Sequence, residues 1–451
     1  MIVNVAGAGA GKTTKMADLI SSFAIPDGKV VFCIAFTNAA ADNIKEKVTK
    51  IYGNIPNNIR ISTIHSFLYQ ELIKPYYYFL YGKNFEHLSN INLPSTIEYK
   101  KKKLSELEKE NILHVTNIPE KAKWVVCKKS SDNKVINETR ARIISGFLNY
   151  CAAIFVDEAQ DIGGEERCIL ESLDRANVQI ILYGDPKQDV KGFRCFREII
   201  DNNGMVNYIS DCHRCPQKHL NISNLFAPDS EKQSADEKHN EGHIDVVFES
   251  DIDNIHEYLH SGNFGLTYIS QKNQRFDTHE IQSKNNFESL RCEVFYAMKE
   301  RWGESLHEYE IRRGAFYITE QMLKKHNDGQ KANDIIIDLV KRGIFNSLTK
   351  PKYAQMISAM QSNVQTLSNI PVVNSIEAVK GLEADSCLFI LTSDLASYLF
   401  QNKTDDNKTK HLLYVALTRS SNNLTFLITR EVESKYQRTK IISFFEQFEL
   451  Q

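Results

Sequence analysis

The sequence predicts an α/β protein built on parallel sheets, and three observations carry that expectation. A β-branched run at residues 2–5 (IVNV) leads directly into AGAGAGKTT at 6–14, and a helical pattern follows. A second apolar run ends in acids, AAIFVDEAQD at 152–161. Further apolar runs end in polar clusters, and strands buried on both faces of a parallel sheet read as unbroken apolar runs of this kind. The 451 residues exceed one ordinary core, so more than one domain is expected. Apolar residues make up 42 % and charged residues 25 %, which excludes collagen-like, coiled-coil and wholly disordered classes. No run approaches the roughly 18 apolar residues of a membrane span, and the longest, at 178–183 and 387–391, have strand length.

Taken in order, the first element is a strand, a glycine-rich turn and a helix with Met16, Leu19, Ile20 and Phe23 at helical spacing. That is the context of a phosphate-binding loop. Backbone N–H groups of Ala8, Gly9, Ala10 and Gly11 can turn inward around phosphate oxygens, and the helix start through Thr14 adds its positive end. Lys12 would reach the β- and γ-phosphates, and Thr13 would hold Mg²⁺ through its hydroxyl. The first glycine of the strict pattern is Ala6 here. In DEAQD, Asp157 at a strand end can hold Mg²⁺ through water, and Glu158 can activate the attacking water. The pair of motifs predicts nucleotide hydrolysis.

Three more strand ends follow. IAFTNAAA (34–41) presents Phe36, Thr37 and Asn38; ISTIHSF (61–67) presents Thr63, His65 and Ser66; IILYGDPKQ (180–188) presents Asp185 and Gln188. Thr37, Ser66 and Asp185 also read as helix caps. Ligands of open α/β sheets sit outside the carboxyl ends of the strands, so these clusters are expected on one rim. Together they outline a RecA-like sheet.

Lys plus Arg total 55 against 57 Asp plus Glu, a net charge of −2, which excludes a uniformly basic nucleic-acid binder but not a local basic groove. Residues 99–130 hold nine lysines against four glutamates, read either as a solvated helix face or as a nucleic-acid contact. Nine irregularly spaced cysteines and a start without a basic, apolar leader predict a reduced, cytoplasmic protein. Cys212 and Cys215 have no second pair for a metal and read as packing residues.

The ordered set AGAGAGKTT, AFTNAAA, STIHSF, VDEAQD, YGDPKQDVKGFR, CHRCP, VKGLEAD and YVALTRS resembles the UvrD/Rep family of superfamily 1 DNA helicases from residue 6 to residue 420. The resemblance implies two RecA-like P-loop domains, each with a mainly helical insertion, and ATP and Mg²⁺ as cofactors. It implies that Gln160 and Gln188 sense the γ-phosphate and the water, and that Arg214 and Arg419 approach the γ-phosphate from either side of a cleft. It places Glu383 at the ribose, Gly381 beside it, and Phe36, Asn38, Thr63, His65 and Phe193 along single-stranded DNA. By composition alone Phe193 reads as a core residue; the motif context makes it a stacking platform. The family's tyrosine before the CHRCP arginine, an adenine platform, is His213 here. Its tyrosine before Phe193 is Lys191, its histidine before KGLEAD is Glu377, and its adenine-reading glutamine motif ahead of the P-loop has no counterpart. ATP remains the expected nucleotide.

The spacing predicts a first RecA-like domain at 1–70 and 145–227, a helical insertion with the basic segment at 71–144, a second RecA-like domain at 228–275 and 367–451, and a reduced second insertion at 276–366. PDSEKQSADEKHNEGH at 228–243 reads as a polar linker. The implied activity is an ATP-driven, 3′-to-5′ translocase or helicase on single-stranded or tailed duplex DNA, with no membrane contact. The alternative is a nucleotide-responsive subunit gating a partner nuclease of OLD/TOPRIM type. It would resemble the compact UvrD-like subunit of Gabija-type bacterial anti-phage systems.

Overall fold

In the computed structural model, which describes all residues except 92, 95, 237–240, 280, 362, 364–370, 402, 450 and 451, the early apolar runs become strands of one sheet. They are Ile2–Ala6 (β1), Val30–Ala35 (β2), Ile59–Thr63 (β3), Cys151–Val156 (β4) and Gln179–Gly184 (β5), joined by a short polar strand, Val206–Ile209 (β6). The order is β3-β2-β4-β5-β1-β6 and every ladder is parallel. Val31, Cys33 and Ala35 of β2 share a core with Met16, Ala17 and Ile20 of helix Lys12–Ser22 and with Ile44 and Val48 of helix Asn38–Tyr52. Phe32 points to the opposite face, its ring centroid 5.1 Å from Phe67 and 6.1 Å from Phe147. Burial on both faces explains why β2, β4 and β5 are apolar nearly throughout rather than alternating. Each such buried side chain contributes about 1.5–3 kcal/mol.

A second sheet holds His243–Phe248 (β7), Leu266–Ile269 (β8), Asp277–His279 (β9), Val372–Ser375 (β10), Ala384–Leu391 (β11) and Ser420–Ile428 (β12), in the order β7-β12-β11-β8-β10-β9. Phe389 lies opposite Phe426 in the parallel β11–β12 register. Tyr268, Phe389, Phe426 and Phe445 form a continuous row of aromatic contacts, the first pair stacked and the others tilted, with centroid spacings of 5.7, 5.5 and 4.5 Å. The α/β class and its two parallel sheets agree with the sequence. The short strands β6 and β9, each at an edge of its sheet, were not anticipated; β6 exposes Asn207 and Tyr208 and carries no apolar run.

The chain divides into two compact units. The first comprises Met1–Tyr81, Pro119–Thr278 and Pro371–Gln451 and contains both sheets. The second comprises Gly82–Ile118 and His279–Ile370. It is mainly helical, with Leu290, Val294, Ile311, Ala315, Ile336 and Met356 in its core. These bounds differ from the 71–144 and 276–366 expected for the insertions. Helix Lys74–Tyr81 and helix Lys134–Tyr150 stay with the sheets because Arg140, itself buried, pairs with Asp132 at 2.6 Å and reaches the Tyr81 hydroxyl at 3.1 Å, while Phe147 packs on Phe32. The lysine run is divided as a result. Lys100–Lys103 and Lys109 belong to the second unit, and Lys121, Lys123, Lys128 and Lys129 to the first. The linker reading of 228–243 is also corrected in part. Glu231 and Gln233 are buried, whereas 237–240 lie outside the described residues. Among the described residues no helix is long and apolar enough to cross a membrane.

Candidate functional site

Because the strands of the first sheet run parallel, the residues after β1, β2, β3, β4 and β5 emerge on one rim. After β1 the chain turns through Gly9 (φ 69°) and Gly11 (φ 71°), left-handed conformations that suit glycine. A Cβ on Gly9 would lie 2.5 Å from the Arg214 Cβ and 3.0 Å from the Cys212 Sγ. Helix Lys12–Ser22 begins with no side-chain cap and no acid in its first turn. Its first N–H donors are thus available to an anion. The Lys12 ammonium folds back onto the carbonyls of Ala6 and Gly7 at 3.4 and 3.3 Å.

The Thr13 hydroxyl donates to Asp157 Oδ2 at 2.7 Å. A hydroxyl and a carboxylate are hard oxygen donors of the kind Mg²⁺ takes together with phosphate and water, so the pair fits that ion. Bound there, it would neutralise phosphate charge. Burial, and then the adjacent Glu158 charge, push Asp157 up to about 6. Burial opposes ionisation of Glu158 as well, but Lys12 and Lys380 outweigh it and hold this carboxyl below its ordinary range. Glu158 therefore stays ionised beside the phosphate loop, the state a general base requires. Its backbone is left-handed at φ 55°, strain on the order of 1–3 kcal/mol for a non-glycine residue. Gln160 donates to the Glu158 carboxylate, and its Oε1 accepts from the Asp185 N–H at 2.9 Å. Gln188 donates to Asp185 Oδ2 at 3.0 Å.

A cavity of about 690 Å³ opens over this loop. Ala8, Gly9, Ala10, Gly11, Lys12, Thr13, Thr14, Glu158, Gln188, His213, Arg214, Gly381, Glu383 and Arg419 all line it, so most of the sequence-expected nucleotide residues meet in one place. Asp157 and Gln160 support it from below through Thr13 and Glu158. Arg214 pairs with Glu383 and donates to the Thr418 carbonyl at 3.3 Å. Arg419 is 1 % exposed and spends its guanidinium on Val415 O (2.9 Å), Leu382 O (3.2 Å) and Thr418 Oγ1 (3.0 Å). Burial, reinforced by Arg214, lowers it to about 10. Both arginines thus reach the cavity, each already bonded to the loop or helix end beside it.

Residues 1–194 match a family model described as an AAA domain. A comparison with curated proteins found no match. Two similar solved structures are those of Arterivirus nonstructural protein 10 (helicase), alone and with DNA, each 10 % identical, with TM-scores of 0.36 and 0.39. They match 94 % and 97 % of this chain and 59 % and 63 % of their own, so the chain spans about three fifths of the length of those structures.

Further along the rim, Asp189 organises the loop after β5 by accepting from the N–H groups of Gly192, Phe193 and Arg194 at 2.8, 3.2 and 2.7 Å. Phe193 is left 46 % exposed. The composition-based reading of Phe193 as a core side chain is therefore corrected; Asp189 fixes the loop through one N–H each of Gly192, Phe193 and Arg194. The Lys191 Nζ lies 5.4 Å from the Phe36 ring centroid and 5.8 Å from that of Phe193. Partial burial, and then Lys191, lower the pKa of His65. Asn38 is exposed at the start of its helix. Thr63 accepts from the Ser66 N–H at 3.3 Å, so Thr63 is the cap where Ser66 was expected. Glu377 is paired with Lys408.

Several residues of this region escaped sequence reasoning. Lys380 bonds Asp161 at 2.7 Å, and Asn43 and Lys47 line the cavity. The Lys47 amine donates to Thr14 Oγ1 at 2.8 Å. Lys187 is buried and bonds Asp185 at 3.0 Å and Glu231 at 3.3 Å, while Arg197 closes on the same Glu231. Position within KGLEAD and GDPKQ offered a signal for Lys380 and Lys187. Nothing in the sequence marked Glu231.

Proposed function

We propose that this chain is an ATP-hydrolysing motor that moves on single-stranded DNA. One observation carries the reading. The phosphate loop with Thr13, ionised Glu158 and Gln188 share a cavity with Arg214 and Arg419, which come from different segments, and Asp157 and Gln160 support it through Thr13 and Glu158. A base, a phosphate cradle and cations around one space are the parts phosphoryl transfer to water needs. The exposed Phe193 with Lys191 and Phe36 on the same rim supports a nucleic-acid track. Aromatic faces stack on any base, and an ammonium meets the phosphates without sequence preference. Direction along the strand, 3′ to 5′, is proposed from the family resemblance.

The test is ATP hydrolysis by the pure chain with and without single-stranded DNA, followed by strand displacement on a 3′-tailed duplex. Stimulated hydrolysis with displacement supports the motor. Stimulated hydrolysis without displacement supports the gating subunit and directs the search to a partner nuclease. Hydrolysis indifferent to DNA would refute both.

A further inference from the structure

By composition residues 228–235 are solvated, yet this segment inserts Gln233 beside the phosphate loop, where it is 3 % exposed. The Gln233 Nε2 donates to the Ala8 carbonyl at 3.0 Å, and its Oε1 accepts from the Tyr414 hydroxyl at 2.8 Å. The same hydroxyl accepts from the Ala8 N–H at 3.3 Å. Both backbone polar groups of Ala8 are therefore held in a closed ring of three hydrogen bonds, all buried. The main chain of Gln233 is fixed in turn by Asn224, which donates to its carbonyl at 2.8 Å and accepts from its N–H at 2.9 Å. A Cβ on Gly7 would fall 2.1 Å from the Gln233 amide. A side chain at position 7 would therefore displace the Gln233 amide from this ring. Tyr414 belongs to helix Lys408–Leu417, which runs into Thr418 and Arg419 at the cavity wall.

We propose that Gln233 is a positioning residue of the nucleotide site. Through Tyr414 it sets the conformation of the phosphate loop for ATP and ties that loop to the helix preceding Arg419. Neither Gln233 nor Tyr414 lines the cavity, so their effect on nucleotide passes through Ala8. A cyclic buried network of this kind acts as a unit, because removing one member leaves the others with unmet donors or acceptors. The inference rests on the nucleotide-binding reading above.

The experiment compares the full chain with Gln233→Leu, Tyr414→Phe and the double variant. The readouts are affinity for a fluorescent ATP analogue, KM and kcat for ATP, and the thermal midpoint. Each single change is expected to weaken binding and raise KM about tenfold while kcat changes less than about twofold. The double variant should be no worse than the worse single one, since both break the same ring. Tyr414→Phe removes one oxygen and keeps the packing, so it reads the ring even if Gln233→Leu folds poorly. Unchanged KM and affinity in a folded Tyr414→Phe would overturn the inference and leave the nucleotide reading intact, as would effects that multiply in the double variant. Failure of the unaltered chain to bind the analogue would overturn both.

Discussion

If the proposed function holds, Lys12 and Glu158 have two jobs that a single loss of activity would merge. Lys12→Ala removes a cation from the phosphate loop and should weaken ATP binding, read with a fluorescent analogue. Glu158→Gln keeps the shape and the Gln160 contact but removes the base, so hydrolysis should vanish while the analogue still binds. Wild-type turnover by Glu158→Gln would show that the base lies elsewhere. Phe193 poses a different question, because an exposed ring is either idle surface or a platform. Phe193→Ala should reduce single-stranded DNA affinity by about 1–3 kcal/mol. Its unfolding midpoint should barely move, since the ring is half exposed; a fluorescence-anisotropy titration and a urea melt distinguish the two. The identities of these residues were legible in the sequence, since each sits in a contiguous motif. Their states were not. Glu158 owes its ionised form to Lys380 as well as Lys12, and Lys380 is distant in sequence.

At the scale of elements, strand ends and helix starts decide where chemistry can stand. Thr37 ends the approach from β2 and caps helix Asn38–Tyr52, its hydroxyl accepting from the Ala40 N–H at 3.1 Å. Thr37→Ala should cost about 1 kcal/mol in a urea melt. A larger loss is expected from the second sheet, where Phe426 is buried between Phe389 and Phe445. Phe426→Ala should cost about 3–5 kcal/mol, because neighbouring rings cannot close the hole. Strands buried on both faces announce themselves as apolar runs, as β2, β4, β5 and β11 do. By contrast β6 and β9 are short, lie at the edges of their sheets and left no apolar pattern to read.

The whole molecule carries charge in places its composition conceals. In the second unit Glu293 is buried beside Ser89, whose hydroxyl donates to it at 3.5 Å. Burial raises it to about 7, with Lys103 only partly opposing. The folded state thus favours the protonated carboxyl. Its contribution to stability is complete below the ordinary value of 4.5 and is lost as pH rises through about 7. Melting at pH 5 and pH 8 should show the wild-type chain losing stability with pH, and Glu293→Gln should lose less. An equal loss in both would place the titrating group elsewhere. The sequence by itself determined the α/β class, the glycine turn before helix Lys12–Ser22 and the acids after β4, because these depend on residues that are neighbours along the chain. Only the tertiary structure decided that one lysine run serves two units, that Arg419 is held by backbone carbonyls, and that Glu231 and Gln233 are interior. The reason is physical. A polar residue reads as solvated until its partners are known, and Lys187, Arg197, Ala8 and Tyr414 are brought to these two side chains by the fold, not by the order of the chain.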